Sequence, residues 1–180
     1  RPFFVEGSNI TSFNVGLGDG DVGNDNLFYS RRIGRRPHRD PELADEEYAR
    51  VPRFTNILGA AKITGKTENG LSVGVLESVT SEMKAEIDSD GERSTRIIEP
   101  LTNYSLARIQ KDSEDGNTLI GGMITSANRR LDETGIDDLH TGAYTGGLDF
   151  IRYFRGKKYR LNTSLYMSHV TGSTEAISET

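Results

Sequence analysis

From Asn56 onward, apolar and polar positions alternate in long runs. Alternation sends successive side chains to opposite faces of an extended chain. It predicts strands over Asn56–Lys66, Leu71–Thr80, Thr102–Lys111, Thr118–Asn128, Ala143–Phe154 and Lys158–Val170. Each is about 10 to 13 residues, nearly twice the common length in soluble domains. A shorter strand is predicted at Leu27–Gly34, "LFYSRRIG", giving about seven in all.

The connections sharpen this picture. Glu68-Asn69-Gly70, "DSEDGN" and "FRGKK" are tight turns rich in residues that tolerate positive φ. Between them lie long polar stretches at Arg35–Arg53, Ser81–Pro100 and Arg129–Gly142. Short and long connections alternate strictly, so all tight turns fall on one rim of an antiparallel meander and all long loops on the other. Long strands with that alternation are what a transmembrane β-barrel needs, with about 9–11 tilted residues per crossing.

The two faces can be read separately. In the last strand Tyr159, Leu161, Thr163, Leu165 and Met167 share one face, and Arg160, Asn162, Ser164, Tyr166 and Ser168 the other. Ile57, Gly59, Ala61, Ile63 and Gly65 line one face of the first long strand, with Leu58, Ala60, Lys62, Thr64 and Lys66 opposite. Leu71, Val73, Val75 and Val79 fall together on the next, where Glu77 breaks the apolar parity. That charge is expected either near the long-loop rim or turned inward by a bulge. Tyr153, Phe154 and Tyr159 gather by a tight turn, and Phe54, Tyr104 and Tyr144 near the other rim, as two aromatic girdles would require.

Composition fits one wet face and a thin apolar one. Hydrophobic residues make up 34% of the 180, Gly reaches 20, and Trp and Cys are absent. No apolar run of about 20 residues exists, so strands rather than helices would do any crossing. A net charge of -5 gives no support to a nucleic-acid surface. The chain opens on Arg1 rather than Met and stops in a polar stretch, with the expectation of an internal piece of a longer protein. Residues 1–26 read as a Gly/Asn/Asp-rich irregular entry segment and 27–180 as an incomplete barrel region, an all-β, antiparallel up-and-down meander forming a partial arc.

Four phrases carry a family resemblance. "RPFFVEG" at Arg1–Gly7, "LFYSRRIG", "GAAKITGK" at Gly59–Lys66 and "NTLIGGM" at Asn117–Met123 resemble the barrel region of the domain of unknown function 5916 family. Its members are bacterial envelope proteins, often from Bacteroidota, with a carbohydrate-binding family 9-like domain ahead of the barrel. The resemblance implies an outer-membrane location among membrane lipid and a tie to glycan capture or processing. It supplies no sugar-contacting and no catalytic residues for this chain.

Candidate chemistry is sparse. Lys62, Lys66, Arg108, Asp149 and Arg160 fall on polar parities and are the candidate lumen-lining residues, either a selectivity lining or a polar ladder holding strand register. Asp19, Asp21 and Asp25 in "GDGDVGNDN" make a calcium candidate that lacks EF-hand spacing, and a turn-rich loop is the plainer reading. Arg31 and Arg32 are candidates for a lipid phosphate or sugar acid, or for pairing with the acidic loop. Ser168 and His169 are adjacent on a strand and therefore face opposite ways, which disqualifies them as a catalytic pair. His38 and His140 lie in separate loops without ligand spacing. The reading is an outer-membrane barrel segment acting as anchor, channel or receptor rather than catalyst. The rivals are a soluble β-sheet carbohydrate-binding module and an envelope hydrolase with its active site in loops or missing chain.

Overall fold

The computed structural model describes residues 8–13, 15, 26–113, 115–132 and 134–178. Among these, nine strands form two antiparallel sheets. A short helix α1 (Ser8–Thr11) and a 3-10 turn (Ser30–Arg32) precede β1 (Glu47–Arg50), β2 (Ile57–Lys66), β3 (Leu71–Thr80), β4 (Met83–Ser89) and β5 (Glu92–Glu99). Then come β6 (Leu101–Asp112), β7 (Thr118–Arg130), β8 (Gly142–Phe154), β9 (Tyr159–Thr171) and α2 (Thr174–Ser178). The large sheet has the order β2-β3-β6-β7-β8-β9, and the small one β1-β4-β5. The chain is thus an antiparallel all-β meander, and the six expected long strands are all present.

The tight turns have simple causes. Gly70 N–H donates to the Thr67 carbonyl at 3.0 Å, and Gly70 alone in that loop takes a left-handed φ of 84°. A Cβ there would also lie 2.8 Å from the Asp112 carbonyl oxygen, so glycine is required twice over. Gly116 closes the β6–β7 turn in the same way, its N–H donating to Ser113 at 2.9 Å.

Three expectations need correction. Leu27–Gly34 is not a strand: Arg32 N–H reaches the Tyr29 carbonyl at 3.0 Å and Ile33 N–H reaches that of Ser30 at 3.2 Å, a 3-10 turn. Its adjacent Leu27 and Phe28 both pack on the core, which a strand with alternating faces would not allow. The stretches expected as long polar loops also contain three strands. β4 and β5 meet at Asp90-Gly91, both left-handed at φ 51° and 84°, a two-residue hairpin turn. This hairpin prolongs β3 and β6 beyond their rim, but a register shift between Met83 and Lys84, together with Pro100 between β5 and β6, interrupts the ladder and starts a second sheet. Arg129 and Arg130 belong to β7 rather than to the following loop.

The third correction is a bulge. Register shifts between Ile57 and Gly59, which returns Ile57 to the parity of Thr80 and Lys62. Ile57 therefore packs on the core while Leu58 stays exposed, the reverse of strict alternation. At Glu77 there is no bulge: it pairs in register with Ala61 and Ser105, stays on the exposed parity, and accepts a hydrogen bond from Asn103 Nδ2.

The large sheet has two unlike faces. One is covered by the N-terminal segment: Phe13, Ile33, Leu76, Leu106 and Met123 form the buried core, with Leu27, Phe28 and Ile57 against them. Small residues admit this cover. A Cβ on Gly147 would sit 2.6 Å from Phe13 Cζ, and one on Gly74 would sit 3.0 Å from Thr11 Cγ2. The other face is open. Two of its cross-strand rows are apolar from edge to edge: Gly65, Val73, Ile109, Gly122, Leu148, Leu165, and Ile63, Val75, Ala107, Ile124, Gly146, Met167. Leu148 is 61% and Met167 70% exposed, whereas Leu76 and Leu106 on the covered face are each 2% exposed. Charged residues of the open face, Glu77, Lys111, Arg130 and Arg152, stand outside these rows.

Candidate functional site

By register, Lys62, Lys66, Arg108, Asp149 and Arg160 all belong to the covered parity. The fold joins two of them. Arg108 on β6 reaches over β7 to Asp149 on β8 in a two-pronged pair, Nη1 to Oδ1 and Nη2 to Oδ2, each 2.8 Å. Gly121 of β7 lies between; a Cβ there would come 2.9 Å from Arg108 Nη2 and would also strike the Asp149 carboxylate. The missing side chain is what allows a pair across two strand spacings. Arg108 is 3% exposed, donates a further hydrogen bond to Gln110 at 3.2 Å, and has the Phe13 ring 5.1 Å from its guanidinium carbon. A parallel, forked pair of this kind is the geometry guanidinium and carboxylate favour.

The others serve separately. Lys66 Nζ pairs with Asp112 at 2.6 Å near the tight-turn rim. Arg160 lies over the Tyr153 ring at 6.0 Å. Lys62 faces Leu76 across the strand pair. The calcium candidates Asp19, Asp21 and Asp25 lie outside the described residues, and among the described residues no group of His, Asp and Glu is placed to hold a metal. His169 stacks with Tyr144 on the open face, 6.4 Å between ring centroids, while Ser168 has the opposite parity. Tyr104 belongs to the covered parity and packs against the core, so it stands apart from the rim aromatics Tyr144, Phe154 and Tyr159, which are exposed on the open face.

Toward the long-loop rim the cover stands off the sheet. A cleft of about 290 Å³ opens there, lined by Tyr104, Thr125, Arg129 and Thr145 of the sheet and by Tyr29, Arg32, Arg35 and His38 of the strap above it. The strap is tied down: Ile33 is buried, and the Arg35 carbonyl accepts from Thr55 N–H at 2.8 Å. His38 is held by Glu99, which accepts from its backbone N–H at 2.7 Å and lies 2.8 and 2.7 Å from Nδ1. Glu99 is 2% exposed. Thr125 and Thr145 hydroxyls share a 2.6 Å hydrogen bond along the floor.

Sequence reading found Arg108 and Asp149 but not their pairing, and it missed this cleft. Arg129 was hidden by placing the end of β7 too early. The His38–Glu99 contact joins residues 61 positions apart, which no local pattern marks.

The family model for a domain of unknown function, DUF5916, matches residues 1–179. Neither curated proteins nor solved structures offer a match.

Proposed function

Taking the chain as the member of the DUF5916 family which that match makes it, we propose that it forms a wall segment of an outer-membrane β-barrel in a glycan-associated bacterial envelope protein, an anchor, channel or receptor rather than a catalyst. One observation carries the reading: the face of the large sheet with two continuous apolar rows is open, although the opposite face already holds the buried core under the N-terminal strap. A sheet in water would cover this second face as well, because burying apolar area is the main driving force for packing. Hydrocarbon removes the penalty for the open face, provided every backbone group is paired within the sheet. Where Ala107, Gly122 and Gly146 lie together, that face dips into an apolar groove of about 520 Å³, a shape suited to lipid chains. The N-terminal strap would then lie inside the barrel, and the long-loop rim with β1, β4 and β5 would face outward.

A soluble carbohydrate-binding sheet would have to leave those two apolar rows in water, far beyond the scattered exposed residues normal for a monomer. The experiment is purification of the full-length protein from fractionated cells. Recovery in the membrane fraction, a need for detergent, and heat-modifiable migration on gels are expected. A product that stays monomeric in buffer without detergent, and does not bind vesicles, removes the reading.

A further inference from the structure

We infer that the cleft between the strap and the sheet is a binding site for a small oxyanion, the carboxylate or phosphate group of a sugar-sized ligand. The inference rests on the barrel reading only for the side of the membrane on which the cleft opens. The cleft's volume of about 290 Å³ is at the lower end of small-molecule sites, roughly 300–1,000 Å³. Its polar lining is cationic: Arg32, Arg35 and Arg129 converge with Tyr104 and His38.

Among the described residues, no carboxylate forms an ion pair with any of these three arginines; the pairs of this region are His38–Glu99, Arg36–Asp40, Arg39–Glu42 and Arg39–Asp138. Arg129 Nε is buried with no hydrogen-bond partner among them, while its Nη1 donates to the His140 carbonyl at 3.0 Å and so fixes the fork. A buried guanidinium N–H left unmade is costly, and an oxyanion in the cleft would supply the negative charge that these three cations lack. Glu99, which with Arg35 and Arg129 is close enough to act electrostatically on Tyr104, is occupied by His38 and does not fill the role.

Tethering of the strap makes the site a built one. Arg35 is fixed by its main-chain bond to Thr55, and the Ile33 anchor beneath the strap is 1% exposed. Tyr29 and Tyr104 line the cleft, and the Thr125–Thr145 hydroxyl pair lies along the floor.

The test uses the full-length protein in detergent micelles, titrated calorimetrically at low salt with glucuronate, inorganic phosphate and neutral glucose. One or both anions are expected to bind, with glucose failing. Tighter glucuronate assigns a carboxylated sugar, and tighter phosphate assigns a phosphorylated one. Arg129→Gln is expected to weaken the anion about tenfold or more, Arg129→Lys to recover part of the loss, and Arg155→Gln at the opposite rim to change nothing. Failure of both anions to bind at concentrations on the order of 10 mM, glucose binding as well as glucuronate, or an unaffected Arg129→Gln would each overturn the site. Heat-modifiable migration is followed in the same samples. If it persists while binding is absent, the site alone is lost; if it is absent while binding holds, the membrane reading alone is lost.

Discussion

Leu148 offers the sharpest test of what lies against the open face. It is the middle residue of β8, six positions from Gly142 and six from Phe154, and its cross-strand partners are Gly122 and Leu165. At about 3.3 Å per residue and a tilt near 40°, each strand end is about 15 Å away along the membrane normal. Leu148 would therefore lie at the centre of an apolar band about 25 Å tall. Along its own face the first side chains with polar groups are Tyr144 and Arg152, each four positions off, or about 13 Å. An arginine introduced there has no local partner. Leu148→Arg should destabilise the folded protein in lipid by about 2–4 kcal/mol, the cost at a bilayer midplane, which is roughly 30- to 700-fold in the folding equilibrium. Phe154→Arg, at the tight-turn rim, should cost no more than about 1 kcal/mol. The assay is refolding from urea into vesicles of dilauroylphosphatidylcholine, with the heat-modifiable fraction as readout. If the open face met water instead, Leu148→Arg would fall within about 0.5 kcal/mol of wild type. Equal behaviour of the two variants, or better solubility of Leu148→Arg with unchanged folding, refutes the argument.

Three further outcomes are expected. Arg108→Met should destabilise by about 3–5 kcal/mol, since it strands the Asp149 carboxylate under the strap, and Arg108→Met with Asp149→Asn should recover part of that loss; urea midpoints of the single and double variants check both. Gly147→Val drives a side chain into the Phe13 ring and should cost about 1–3 kcal/mol through overpacking, seen as earlier proteolytic cleavage of the N-terminal strap with the sheet still folded. In the β6–β7 turn, hydrogen bonds from Ser113 and Asn117 hold the Asp115 carboxyl well below the usual carboxylate range. Its contribution to the turn is therefore complete above the unfolded value of about 3.8 and is lost as pH falls through the lower folded value; a carboxyl carbon NMR titration of Asp115 with a midpoint at or above 3.8 would contradict this.

Some of this architecture was already written in local pattern. Alternation located all six long strands, because the period of two in a half-exposed strand is a property of neighbouring residues alone. Turn chemistry located the tight connections, since Gly70 and Gly116 are needed by backbone geometry within four residues. The β4–β5 hairpin was legible as well, in the Asp90-Gly91 step between "MKAEIDS" and "ERSTRIIE", but the high charge of those runs masked it as loop.

Other features belong to the tertiary structure. The bulge at Leu58 reverses the faces of two residues without any local mark, because register is agreed between β2 and β3. Leu27–Gly34 has strand-like composition, yet it crosses the sheet as a strap, since Ile33, Leu27 and Phe28 gain more by covering Leu76 and Met123 than an edge strand would. The bond between Arg108 and Asp149 depends on a glycine on the strand between them, and the cationic cleft on a strap, a loop and three strands meeting. Sequence by itself determined the six long strands and their tight turns, short-range consequences of backbone geometry. Which residues meet on the covered face was decided only when the chain folded back on itself, since contacts between distant residues follow from packing and leave no periodic trace.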